Sequence, residues 1–116
     1  MILDTRGEMF PAVKDKLFKV TEIPELQDDG ASWKFKFVAD VDGAERPYTE
    51  RFWPRSMKEL ATCLGFKESV PGVFEWEPTQ CLGKSVVADI EHQTQEKGKN
   101  AGKVFPRMVN IKELPF

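Results

Sequence analysis

The most constraining feature of this 116-residue chain is the stretch SWKFKFVADV at residues 32–41, in which apolar and polar side chains alternate. Successive side chains of an extended strand point to opposite faces, so this alternation predicts a β-strand with one face in a core. The inward side chains are Trp33, Phe35, Phe37, Ala39 and Val41. Lys34 and Lys36 lie on the other face, which is either simply solvated or a surface for a negatively charged ligand.

A β-hairpin is predicted directly after this strand. The segment DVDGAERP contains an Asp-Gly pair, which favours a tight hairpin turn. PYTERFW, at residues 47–53, then forms the antiparallel partner, and Phe52 is its natural inward residue. The alternation places Thr49, Arg51 and Trp53 on the outer face beside the two lysines.

The register of this second strand has one alternative. Glu50 and Arg51 put one charge on each face, so a slip of one residue would exchange Tyr48, which is assigned inward, with Trp53. Acidic residues near the ends of the hairpin count against an anion-binding face: Asp28, Asp29, Asp40, Asp42 and Glu45. If these acids border the face, it binds a negatively charged ligand weakly or over a short stretch only.

Three more strands are predicted, at residues 16–23, 83–93 and 103–111. The strand at 83–93 places four residues on one face: Val86, Ala88, Ile90 and His92. Pro106 interrupts the last strand, and proline cannot donate to a β-ladder, so it prefers an edge strand or a bulge. Between the last two strands, residues 93–102 form a polar loop.

One helix is predicted between the third and fourth strands. Ser56 and Glu59 match a capping box ahead of MKELATCLGF, and Gly65 stands where a helix commonly ends. Residues 67–83 are predicted to be irregular, with Phe74 and Trp76 plugging the core.

Composition indicates one globular domain covering residues 1–116, with 1–15 as a loosely ordered N-terminal arm. Hydrophobic residues make up 41% and charged residues 31% of the chain, and no apolar run is long enough for a membrane span. The N-terminus has no apolar stretch typical of a signal peptide, so we expect a cytoplasmic protein. Cys63 and Cys81 form no CxxC pair, which argues against a structural zinc site.

The order of these elements, three strands, a helix and two strands, suits a five-stranded, partly open β-barrel. The segments WKFKFVADVDG, YTERFW, SMKELATCLGF, LGKSVVADIEHQ and KVFPRMVNI together resemble the OB-fold, and in particular small phage-encoded single-stranded DNA-binding proteins. The resemblance covers about residues 16–113. It implies a mainly β protein, a five-stranded OB-fold barrel with one short α-helix between strands three and four.

The same resemblance implies a function. We expect a non-catalytic single-stranded DNA-binding protein that acts in phage DNA replication or recombination, in the cytoplasm of the bacterial host. The final residues, ELPF, also resemble the acidic tip by which bacterial single-strand-binding proteins recruit partners, so replication or recombination proteins are further expected partners. The other interpretation is that Phe116 folds back onto the barrel. A homodimer is compatible with the resemblance.

Binding a single strand without reading its sequence needs cations for phosphates and an aromatic ring for base stacking. The expected stacking residue is Trp53, between the basic residues of the hairpin. The expected phosphate contacts come from the hairpin and from the last strand pair: Lys34, Lys36, Arg51, Lys97, Lys99, Lys103 and Arg107. The net charge of -2 gives no overall attraction to nucleic acid, so this prediction depends on local placement.

Two alternatives stay open. In the first, Lys34, Lys36 and Arg51 form an ordinary solvated face paired with nearby acids, and Trp53 packs under the helix. In the second, the protein is an OB-type adaptor or inhibitor that binds a protein partner and no nucleic acid. For an enzyme, a metal or a cofactor we find no signal: His92 is a lone histidine, and Gly83-Lys84-Ser85 matches only the tail of a phosphate-binding loop.

Overall fold

The computed structural model of the chain describes residues 9–99 and 101–114, which form a mainly β structure. The strands are β1 (Val13–Val20), β2 (Glu25–Leu26), β3 (Trp33–Val41), β4 (Ala44–Phe52), β5 (Lys67–Val70), β6 (Val73–Glu75), β7 (Ser85–Thr94) and β8 (Val104–Lys112). Helix α1 covers Pro54–Cys63, and a short 3₁₀ helix covers Pro78–Cys81. Within the described residues, no helix is long and apolar enough to cross a membrane.

Strands β3 and β4 form the predicted hairpin, paired from Trp33 opposite Phe52 to Val41 opposite Ala44. The turn contains Asp42 and Gly43, both with positive φ (54° and 84°), a combination that Asp-Gly adopts readily. The alternation is confirmed: Phe35 and Phe37 are fully buried, and so is Phe52 on the partner strand. Tyr48 is only 4% exposed, so the register has not slipped.

The sheet continues from β3 through β1 and β7 to β8, in the order β2-β3-β1-β7-β8 with β4 also on β3. All these pairs are antiparallel, and the sheet curls into a half-barrel. Within the described residues, β4 and β8 each pair on one side only, so they are the free edges. Pro106 lies on β8, and the expectation that it prefers an edge is confirmed.

Two β-bulges contribute to the curl. One is at Asp15 in β1 and the other at Asn110 in β8, and both residues have positive φ, 50° and 53°. Asp89, on the strand between them, accepts the Asp15 backbone N–H at 2.7 Å and the Asn110 side-chain amide at 2.8 Å. A bulge bends its strand and increases the local twist, so this carboxylate ties together the two sites where the sheet bends.

Glu50 bridges the two edge strands. It lies on the same face of β4 as Tyr48 and Phe52, and its carboxylate accepts the Tyr48 hydroxyl at 2.8 Å and the backbone N–H of Met108 on β8 at 2.6 Å. Backbone pairing ends at these edges, and the side chain supplies a hydrogen bond across the opening. Glu50, whose charge made the register of β4 ambiguous in the sequence, therefore has a structural role, because it connects β4 to β8.

The core is largely aromatic and lies inside the curl. Phe18 packs against Phe37 and Tyr48, with ring centroids 6.1 and 5.8 Å apart. Phe10 joins this cluster, 5.2 Å from the Tyr48 ring. Because Phe10 is buried and β1 begins at Val13, the latter part of the expected N-terminal arm belongs to the core. Residues 1–8 and the C-terminal Phe116, for which we predicted a position, lie outside the described residues.

Helix α1 lies between the third and fourth long strands, as expected, but the predicted capping box is wrong. The helix begins at Pro54, and Ser56 is inside its first turn, where its hydroxyl oxygen accepts the Trp53 backbone N–H at 3.1 Å. Proline suits the first helical position because its missing N–H would have no partner there. Leu60 and Leu64 pack into the core, and the chain turns away at Gly65 with φ of 86°.

The segment predicted to be irregular contains a second, two-stranded sheet. Strands β5 and β6 pair across a Pro71-Gly72 turn, and the Glu68 carboxylate accepts the Gly72 N–H at 2.8 Å. Val70 and Val73 are exposed, so the hairpin has no hydrophobic alternation from which it could have been recognised. The described residues thus contain five long strands, as predicted, together with three short ones.

Candidate nucleic-acid interface

Four of the predicted binding residues lie together on the outer face of β3 and β4. Lys34 is directly opposite Arg51, and Lys36 is opposite Thr49. Trp53 follows the last residue of β4 and is 45% exposed. The alternative in which Trp53 packs under the helix is therefore wrong, because Trp53 occupies the position just before helix α1 with its side chain in solvent.

Arg51 and Trp53 form one unit. The guanidinium carbon of Arg51 lies 4.8 Å from the centroid of the Trp53 ring, within cation–π distance. This contact covers one face of the indole with a planar cation and orients both side chains. A planar ligand can stack on the remaining face or on the guanidinium itself, because both are flat and exposed.

Arg51 is also held by the loop before β3. Its Nε donates to the Ser32 hydroxyl oxygen at 2.7 Å, and a terminal nitrogen donates to Asp29 at 2.8 Å. Asp29 accepts the backbone N–H groups of Ser32 and Ala31, both at 2.9 Å. These two backbone hydrogen bonds are the main reason that the pKa of Asp29 lies well below its usual range, with Arg51 adding a smaller effect. Asp29 thus stays charged and neutralises Arg51.

The two lysines differ in how far they are neutralised. Lys36 forms an ion pair with Glu22 at 3.1 Å, in which both side chains are well exposed. Such surface pairs contribute little and are easily exchanged for another anion. Lys34 lies opposite Glu25 of β2 but forms no ion pair within the described part of the chain. Both lysines are therefore available to a phosphate group.

The lysines of the last hairpin are not at this site. β3 and β7 both run antiparallel to β1, so the loop after β7 lies at the same end of the sheet as the Asp42-Gly43 turn. Arg51 and Trp53 are at the other end, beyond the nine residues of β3, which span roughly 26 Å at 3.3 Å per residue. Lys97, Lys99 and Lys103 are exposed on and beside that loop and form a separate basic cluster.

Arg107 occupies a third location. It is exposed on edge strand β8, opposite Glu91 and next to Met108, whose N–H binds Glu50. Burial of the Tyr48 hydroxyl raises its pKa strongly, and the nearby charge of Glu50 adds to the increase, whereas Arg107 acts in the opposite direction. Arg107 is therefore close to the opening between β4 and β8 rather than on the β3–β4 face.

His92 has a structural contact. Its Nε2 lies 2.8 Å from the carbonyl oxygen of Phe10, and a carbonyl can only accept, so Nε2 is the donor. His92 lies at the exposed end of β7, on the same face as Ile90 as predicted. Among the described residues, no group of three His, Cys, Asp or Glu side chains is placed to hold a metal ion.

Sequence reasoning missed the role of Asp29 and Ser32. Asp29 was recognised only as a nearby acid, whereas it holds both Ser32 and Arg51. The sequence does contain a signal: in DDGAS, an Asp is followed by Gly, with φ of 69° at Gly30, and by Ser three positions after the Asp. Short polar side chains at this spacing commonly bind backbone N–H groups in turns.

Comparison with known proteins finds no family model that matches the chain and no curated protein that matches it.

Proposed function

We propose that this protein is an OB-fold protein that binds single-stranded DNA without catalysis, in replication or recombination. The antiparallel order β4-β3-β1-β7-β8, with the helix between β4 and β7, supports the OB-fold part of the proposal. The OB-fold binds oligonucleotides on the face of its second and third strands, which correspond here to β3 and β4.

The observation that carries the proposal is the exposed Trp53 stacked on Arg51, directly beside Lys34. A flat aromatic surface and two cations on neighbouring strands are what sequence-independent binding of a single strand requires. Stacking of one base contributes roughly 1–3 kcal/mol, and each phosphate contact lowers the salt exponent by about 0.7. Because carboxylates already neutralise Arg51 and Lys36, we expect modest, strongly salt-dependent affinity.

The first prediction is tested by titrating the protein with oligo(dT) while its tryptophan fluorescence is recorded at low and moderate salt. We expect quenching that weakens as salt is raised, and a Trp53→Ala variant that loses most of the quenching. Trp33 and Trp76 are half-buried, and their emission before DNA is added shows whether the variant is folded. Absence of any signal at micromolar protein in low salt contradicts the proposal.

A protein partner is the second candidate function, and the β5–β6 hairpin is the observation that favours it. Val70 and Val73 are both more than half exposed on this hairpin, outside the main sheet. Exposed apolar side chains that lie close together are a common feature of protein-binding surfaces. The oligo(dT) titration separates the two functions, since an adaptor without nucleic-acid affinity gives no quenching.

A further inference from the structure

A cleft opens beside the candidate interface, between helix α1 and the β5–β6 hairpin. Its volume is about 230 Å³. The principal walls are the side chains of Trp33, Met57, Phe74 and Trp76, and Lys58 stands at the helix side. At about 30 Å³ per water molecule this space equals roughly eight waters, a volume that suits one small planar group.

The aromatic walls are held in place by packing. Trp33 and Trp76 meet nearly edge to face, with ring centroids 4.8 Å apart and planes at 73°. Trp76 also contacts Phe66, with centroids 6.0 Å apart, and both tryptophans pack against the core. Phe74 is half-buried, and its ring borders the cleft rather than plugging the core as we expected. The cleft therefore exists without a ligand.

Charge and position connect this cleft to the β3–β4 face. Among the described residues that line it, Lys58 has the one charged side chain, and the other side chains are apolar. Pro54 and Ala31 form its rim, and these are the chain neighbours of Trp53 and Ser32. Ser32 binds Arg51, so the cleft and the cation–π pair lie at the same end of β3, with Trp33 on the inward face of the strand and Arg51 on the outer face of its partner.

We propose that the cleft receives one unpaired base of the bound DNA strand, with the adjoining phosphate on Lys58. This inference rests on the proposed function, because it extends the path of the same strand past Trp53. Flat aromatic walls stack on any base, and the lone cation matches the phosphate that flanks it. A neutral peptide side chain would fit the apolar walls but would leave Lys58 facing a ligand without a negative charge.

The test compares a cleft variant with a matched control on the same strand. Phe74→Ser removes one wall, and Val73→Ser makes a similar change at a neighbouring side chain that is 53% exposed and outside the cleft. We expect Phe74→Ser to weaken binding of a labelled oligo(dT) roughly tenfold in fluorescence anisotropy, in line with the loss of one stacking contact. The control should bind like the unmodified protein.

A second pair of variants keeps the test valid if Phe74→Ser does not fold. Lys58→Glu changes an exposed helix residue at the cleft, and Lys67→Glu makes the same charge change on β5. We expect Lys58→Glu to weaken binding several-fold more than Lys67→Glu. An oligonucleotide with one abasic site, moved along its length, should bind less tightly at one position, and Phe74→Ser should remove that position dependence.

The outcomes distinguish the two proposals. If the unmodified protein does not bind oligo(dT), the proposed function fails and this inference fails with it. If the unmodified protein binds and Trp53→Ala weakens it, while both cleft variants match their controls, the β3–β4 interface stands and the base site is overturned. A protein partner then remains as the candidate ligand of the cleft.

Discussion

At the scale of single residues, the contacts of Arg51 determine how the candidate interface can bind a ligand. Its guanidinium stacks on Trp53 and at the same time binds Asp29 and Ser32. The Asp29 carboxylate occupies the side of the cation that a phosphate would use. It fixes the geometry of Arg51 and competes with the ligand.

We therefore predict that Asp29→Asn binds single-stranded DNA more tightly. Asparagine still offers an oxygen to the backbone N–H groups of Ala31 and Ser32, but it carries no charge to neutralise Arg51. At an exposed site the expected gain is roughly three- to tenfold in affinity, measured by oligo(dT) titration at low salt. Asp28→Asn is the matched control, since it changes the net charge equally one position away. Equal gains in both variants would mean that only net charge matters.

At the scale of elements, two carboxylates hold the strands in their curl. Glu50 links edge strand β4 to edge strand β8, and Asp89 binds the bulges of β1 and β8. Neither contact belongs to a regular β-ladder. The sheet is bent and nearly closed by side chains at positions where the backbone pairing is interrupted.

Removing the link across the opening should destabilise the fold. Glu50→Ala leaves the Tyr48 hydroxyl and the Met108 N–H without their acceptor in a partly buried place. We expect the free energy of unfolding in urea to fall by about 1–3 kcal/mol. Glu45→Ala, on the same strand but exposed, is the control and should change it little. A Glu50→Ala variant as stable as that control would contradict the structural role.

The second carboxylate predicts a pH dependence. Two hydrogen bonds, chiefly the one from the Asp15 backbone N–H, lower the pKa of Asp89 below its usual value of 3.8. A lowered folded pKa stabilises the protein above the unfolded pKa, and this stabilisation is lost as the pH falls through the folded pKa. We expect Asp89→Asn to lower the melting temperature at pH 7, and the difference from the unmodified protein to shrink below about pH 4.

Asp42→Asn is the control for this experiment. Asparagine tolerates the positive φ of 54° at position 42, so the hairpin turn is kept while one carboxylate is removed. Its melting temperature should follow that of the unmodified protein at both pH values. If the deficit of Asp89→Asn stays the same down to pH 3, the charge of Asp89 does not stabilise the bulges.

At the scale of the whole molecule, the predicted phosphate-binding residues other than Arg107 are divided between two ends of the sheet. Arg51, Lys34 and Lys36 lie on the β3–β4 face, whereas Lys97 and Lys99 lie in the loop after β7. Acidic residues are interspersed, and the net charge is only -2. A bound DNA strand must therefore be long enough to reach both groups of basic residues before both contribute to its affinity.

This division predicts a dependence on DNA length. Replacing Lys97, Lys99 and Lys103 together by alanine should leave the affinity for an oligonucleotide of about 4 nucleotides unchanged, and should weaken binding of one of about 16 nucleotides. Anisotropy titrations at one fixed salt concentration measure both. A uniform loss for both lengths would place the loop at the primary site and contradict the arrangement described above.

Much of the fold could be predicted because its determinants are local. Alternation at residues 32–41 and the Asp-Gly pair are enough to define a hairpin, and Phe52 orients its second strand. The β5–β6 hairpin could not be predicted in this way, because its strands are exposed on both faces and carry no period. The helix start was missed by three residues, because Ser56 was taken as the cap, whereas Trp53 is the cap and Pro54 is the first helical residue.

The sequence by itself determined the five long strands, the aromatic core and the outer position of Lys34, Lys36, Arg51 and Trp53, since side-chain alternation along a strand is a local property. Only the tertiary structure decided which of the predicted cations lie near Trp53 and which lie a strand's length away. It also decided that Asp29 neutralises Arg51, and that Trp33, Phe74 and Trp76 border one cleft. These contacts join residues far apart in the chain, and their geometry depends on how the sheet curls, which no local pattern encodes.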